Sequence, residues 1–282
     1  MSFKRLDPED ISISAESVVA PLFSNGAKAL TSLFTSSNQV ASSTGNFFYQ
    51  VFHQNPNVTS TAATAQVQFS IAFGDKTGRG TEAYNSNITS KSPSSTIYGQ
   101  YRNLVLGDEE EDIKFGEVAQ DYFYAISVNR SRYKEKLLPG SFNLELRNDQ
   151  TSPNTTLRLT DNSQDVSTVS FTDAGRVFEI VSGSDGSAVS TSVSTTGFTT
   201  SAGSYGKFLP DVGVILLNGA ALDAAPSAGG LSLSTGLTAN TDGKNKEKLF
   251  GVMTFDTAGA ASASLQSEET VSSNFVFVRV RN

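Results

Sequence analysis

The residues best placed to do chemistry are in Gly74–Thr81, GDKTGRGT, which follows the apolar run VQFSIAF. Glycines beside a Lys and an Arg suggest a phosphate cradle. A nucleotide loop of the P-loop type needs Gly-x-x-x-x-Gly-Lys-Ser/Thr, so that backbone amides hold the phosphates and the hydroxyl meets magnesium. Here Arg79 stands between two glycines, and the polar stretch TEAYNSNITSKSP that follows does not open a helix. The spacing predicts a turn.

The other candidates fall in the same way. Asp108–Asp112, DEEED, offers oxygens to a hard cation, but five adjacent acids cannot all point inward, and a calcium loop needs spaced ligands and a sharp Gly turn. DNSQD, Asp161–Asp165, lacks that Gly and a distal Glu. His53 is the sole histidine and has no acid beside it in sequence. With no cysteine in the chain, thiolate nucleophiles, disulfides and Cys-based metal sites are excluded. Asn57, Asn87, Asn129 and Asn154 head N-x-Ser/Thr triplets, which arise freely in a chain rich in hydroxyl residues. No catalytic, cofactor-binding or metal-binding residue is assigned, no cofactor is expected, and the chain is read as no enzyme.

The 282 residues suffice for a large core. Hydrophobic residues make up 38% and charged residues 17%, both low for a soluble enzyme, and Ser, Thr, Asn and Gly take up the difference. This composition suits a mainly β or β-rich α+β fold of antiparallel sheets or a sandwich. The net charge is −7 and the basic residues are scattered, which argues against a nucleic-acid partner. No stretch approaches the roughly 20 apolar residues of a spanning helix, so no membrane span is expected.

Residues 1–40 hold apolar pairs without a sustained period. They read as an N-terminal arm ahead of one β-rich domain, 41–282; the alternative is a leading strand and helix of that same domain. SVVAPLF is cut by Pro21, and AKALTSLF allows two helical turns at most. The arm's hydrophobes, among them Phe3, Leu6, Val18, Val19, Leu22 and Phe23, have no partners within it, so they are assigned to an interface with a neighbour. A chain lacking 1–39 is then expected to fold yet fail to assemble. The basic run Asn129–Gly140 places Arg130, Arg132, Lys134 and Lys136 on one face if the chain is extended, and they join the candidate interface.

NFFYQVFH, AQVQFSIAF and DYFYAISV read as strands, and SPSSTIYGQYRNLVL as one short amphipathic helix near 94–106 with Ile97, Tyr101, Leu104 and Val105 on one face. LPGSFNLELR reads as a hairpin return, 151–204 as a meander and GVILL, Gly213–Leu217, as a core strand. GVMTFDT, after a Gly-rich loop, and SNFVFVRVRN close the chain.

In order, SIAFGDKTGRG, STIYGQYRNLVLGDEEEDIKFG, DYFYAISVNRSRYKEKLLPGSFNLEL, RVFEIVSGS, YGKFLPDVGVILLNGAAL and NFVFVRVRN resemble a virion structural protein of large contractile-tailed bacteriophages, the myoviruses, including those of marine cyanobacteria. The resemblance runs from about Gly45 to the C-terminus. It implies a structural subunit of the tail or baseplate, made in the host cytoplasm and carried in the virion. Its partners would be other virion proteins and copies of itself. The rival reading is a receptor- or glycan-binding module of a tail fibre.

Overall fold

The computed structural model describes residues 11–36, 47–80, 92–147, 156–188, 201–238, 244–254 and 263–276. It is mainly β and antiparallel, as the composition predicts. The described chain begins with β1 (Ile11–Pro21), β2 (Ala29–Leu30), β3 (Phe34–Thr35) and β4 (Phe48–Phe52). A single turn, α1 (Thr59–Ala62), leads to β5 (Val67–Asp75), then α2 (Pro93–Leu106), the small pair β6 (Lys114–Phe115) and β7 (Val118–Ala119), and β8 (Tyr122–Val128). β9 (Lys136–Leu137), β10 (Asn143–Arg147), β11 (Thr156–Asp161), β12 (Ser170–Thr172), β13 (Gly175–Ser184) and β14 (Ser187–Ala188) follow. β15 (Gly206–Leu209), β16 (Val214–Asn218), α3 (Gly219–Asp223), α4 (Asn245–Met253), β17 (Ala263–Ser264) and β18 (Gln266–Val276) complete it.

The main sheet runs β2-β17-β10-β11-β13-β15-β16-β8-β5-β4-β3, with β12 and β14 attached to β13. Its two end strands are separated in sequence only by Thr31, Ser32 and Leu33. Laid flat, eleven strands would put those ends about 48 Å apart. Leu30 and Phe34 can be no more than about 14 Å apart. The sheet must therefore curl until its ends approach each other.

Curling gives the sheet an inside and an outside, and the sequence pattern follows. Ile215 and Leu217 point into the main core with Ile71, Ile126, Leu144 and Phe208, while Val214 and Leu216 point outward beneath Tyr98 and Val105 of α2. Both faces of β16 are thus covered, which is why GVILL is an unbroken apolar run. α4 packs on β4, β5 and β10, and its Leu249, Val252 and Met253 add to the inner core.

α2 covers the span that the sequence predicts. Ser92 accepts from the Ser95 amide, Pro93 fills the first position, and Gly107 ends the helix in the left-handed region at φ 63°. Its buried face centres on Tyr98 rather than Leu104, which stays exposed.

Three expectations are corrected. AKALTSLF is no helix: Leu30 and Leu33 are buried in the inner core, and β2 and β3 pair at opposite ends of the sheet. Leu22 and Phe23, assigned to a partner interface, are only 3% and 5% exposed and belong to that same core. LPGSFNLELR does not return as a hairpin, because β9 pairs with β18 whereas β10 pairs with β11 and β17. Phe3 and Leu6 lie outside the described residues.

Candidate functional site

The feature that stands apart from the curled sheet is a ribbon. β1 pairs antiparallel with β18 without a bulge, from Ile11 opposite Val276 to Pro21 opposite Gln266. Its base is fastened to the body: the Leu265 amide donates to Lys28 O at 2.8 Å, Leu138 N to Gln266 O at 2.9 Å, and Gln266 N to the Ser141 hydroxyl at 3.0 Å. Away from the base both faces are open. Ile11, Ile13 and Val19 stand on one face with Val276; Val18 stands on the other with Val271 and Phe275. Ile13 is 71% exposed and Phe275 54%. A two-stranded ribbon is marginal in water by itself, and large apolar side chains displayed on it need a reason.

Of the assigned interface residues, the structure brings together Val18, Val19, Lys134 and Lys136. Val18 sits opposite Glu269 and Val19 opposite Glu268. Lys134 reaches Glu269 at 2.9 Å, and Lys136 lies 3.7 Å from Glu135 and 3.9 Å from Glu268. The second half of the basic run, Lys134 and Lys136, therefore ties the loop to β18. The run is not the positive strand face expected, since Arg130–Arg132 is a 3-10 turn capped by Asn129. Arg130 lies over the Tyr133 ring and donates to the carbonyls of Tyr133 and Lys134, while Arg132 donates to the Ser24 hydroxyl.

Glu135 caps the free side of β18 by accepting the Thr270 N–H at 2.7 Å. That bond, helped by Lys136, holds the Glu135 carboxyl below its ordinary 4.5. A depressed folded value stabilises the charged form, so the tie is fully present above pH 4.5 and is lost as pH falls through the lowered value. Protection of the Thr270 amide against hydrogen exchange is expected to fall on acidification through that range. Protection unchanged by acidification, or by Glu135→Gln at neutral pH, would show that Glu135 does not hold this edge.

The loop Gly74–Gly80 shows why glycines need not mean phosphate. Every amide from Lys76 to Gly80 already has an acceptor in the chain. Lys76 N donates to Asp121 O, Gly78 N to Asp75 O and Gly80 N to Thr238 O. Thr77 N and Arg79 N both donate to Asp75 Oδ1, at 3.0 and 2.8 Å. The Arg79 guanidinium closes on Asp75 Oδ2 at 2.9 Å. Asp75 is fully buried and occupies the place of an anion. Asp75→Ala strands these donors and is expected to cost about 3 kcal/mol. Urea melts check it; a loss below about 1 kcal/mol would mean that water replaces the carboxylate readily.

Several other polar groups are similarly engaged. Tyr122 donates to Asp223 at 2.9 Å, and burial, together with the Asp223 charge, pushes its phenol up. Asp223 also accepts from the Thr235 amide and hydroxyl. Asp161 accepts the Gly140 and Ser163 amides, and burial pushes its carboxyl up. His53 Nδ1 accepts from Gln66 N at 3.3 Å. In the acidic turn, Asp108 accepts the amides of Glu110 and Glu111 and Asp112 pairs with Lys76. Among the described residues no group of three or more acids or histidines could hold a metal, and no helix is long and apolar enough to cross a membrane.

No family model, characterised protein or solved structure matches this chain.

Proposed function

We propose that this chain is a non-enzymatic structural subunit of a bacteriophage virion, of the contractile tail or baseplate, that works through protein–protein contacts. The ordered resemblance of its segments to myovirus structural proteins supplies the setting. The observation that carries the reading is the β1–β18 ribbon, an extended element stapled to the body at one end and displaying Ile11, Ile13, Phe275 and Val276 at the other. Strand addition at such an edge gains main-chain hydrogen bonds, and the alternating side chains select the partner. The polar side chains described above are spent on folding, which supports a contact role over a catalytic one.

The test is a density map of purified particles together with their protein inventory by mass spectrometry. The expected result is the chain present in fixed copy number with the ribbon covered by a neighbour. Ile13→Lys with Phe275→Lys, both at exposed positions, is expected to leave the body folded and to abolish incorporation. Particles lacking the chain, or holding it with the ribbon in solvent, would overturn the reading. Specific glycan binding by the isolated protein would favour a receptor-binding module instead.

A further inference from the structure

The two long edges of the ribbon differ. On the β18 side, β9 pairs with Ser267 and Glu268, and Glu135 takes the Thr270 amide. On the β1 side no described strand pairs with Ile11–Pro21. Exposed edges are ordinarily blunted by Lys, Pro or a bulge. This one has a single charge, Glu16, a proline only at its last position, and no bulge. The other acids of the ribbon, Glu268 and Glu269, are matched by Lys136 and Lys134, so two such edges do not repel each other strongly.

We propose that β1 pairs antiparallel with β1 of a second copy of this chain, about a two-fold axis at Ala15. This rests on the reading of the chain as a contact-making subunit and names one contact.

The register follows from strand geometry. Only alternate residues of β1 turn their backbone groups to the open edge, and an outward residue must face an outward residue. The axis therefore falls on a residue and not between two. An axis at Glu16 sets Glu16 against Glu16, a like-charge pair directly opposed. An axis at Ser17 brings Pro21, which has no N–H to give, into the ladder and sets Glu16 against Val18. An axis at Ser14 leaves Val18 and Val19 unpaired.

At Ala15 the pairs are Ile11 with Val19, Ser12 with Val18, Ile13 with Ser17, Ser14 with Glu16, and Ala15 with itself. Each Ser14 hydroxyl then meets a Glu16 carboxylate. Ile11, Ile13, Ala15 and Val19 of both copies fall on one face, so the apolar strip becomes continuous across the join. A strand of this same chain thus suits the edge in charge, length and pattern.

The chain has no cysteine, so single-cysteine variants report on the axis directly. In Ala15→Cys the two thiols face each other at about 4.5–5.5 Å between Cβ atoms, close to disulfide range. In Val18→Cys they lie six residues apart along the strands, roughly 20 Å. Under mild oxidation Ala15→Cys is expected to form covalent dimer at least about tenfold faster than Val18→Cys, and the unmodified protein to sediment as a dimer. Equal cross-linking rates, or a monomer at concentrations up to about 100 μM, overturn the proposal. If that happens while the chain is still found in particles with its ribbon covered, only self-pairing fails. Absence from particles overturns the subunit reading itself.

Discussion

A chain that begins at Val40 is expected not to fold. Such a truncation removes Leu22, Phe23, Leu30 and Leu33, all buried in the inner core, and with them β2 and β3, the strands that end the main sheet. At about 1.5–3 kcal/mol for each buried side chain, the loss is roughly 6–12 kcal/mol, comparable to the whole net stability of a domain. Removing residues 1–20 spares all four side chains and is expected to leave a cooperatively folding body. Circular dichroism and urea unfolding of the two truncations separate the cases. A cooperative transition in the shorter chain would mean that the sheet closes without its ends.

The second large effect is at Ile215, which is 3% exposed on β16. β16 lies between β15 and β8, and Ile215 faces Phe208 on one side and Ile126 on the other, both buried. A carboxylate there has no described cation within its cross-strand pairs and cannot reach solvent. Ile215→Asp therefore loses an aliphatic side chain and buries a polar group without a partner, together costing about 5 kcal/mol. The expected result is insoluble protein or a loss of cooperative melting. Soluble Ile215→Asp with an unchanged melting curve would remove β16 from the core. Ile215→Val, at about 1 kcal/mol, is the matched control.

What could be read from the residues depended on whether a segment is stabilised locally. α2 has its cap, its Pro93 and its Gly107 in sequence, and β16 has its apolar run between Pro-Asp and Asn-Gly, so both were legible. The strands Ala29–Leu30 and Phe34–Thr35 were not, because two-residue strands exist only through their partners: Ala263–Ser264, near the other end of the described chain, for one, and Phe52 and Val51 for the other. α4 was hidden by Gly251 and by a polar first turn, although Leu249, Val252 and Met253 carry helical spacing. The ribbon was half visible. SNFVFVRVRN reads as a strand, but the polar SEET that begins β18 gives no hint that Ile11–Pro21 lies alongside it. Three of the four basic residues, Arg132, Lys134 and Lys136, were misread because their partners, Ser24, Glu269 and Glu268, are brought close only by the fold, while Arg130 turns back on Tyr133 and Lys134 within its own loop.

The short link between the two ends of the main sheet also bears on how the protein is made. β2 waits for β17, and β1 waits for β18, so strands near residues 11–30 find their partners only among residues 263–276. Contacts this distant in sequence slow folding, and during synthesis they leave the early strands without neighbours until nearly all of the described chain has left the ribosome. The edge proposed above for self-pairing is formed by that late pairing. A chain cut before β18 cannot display it.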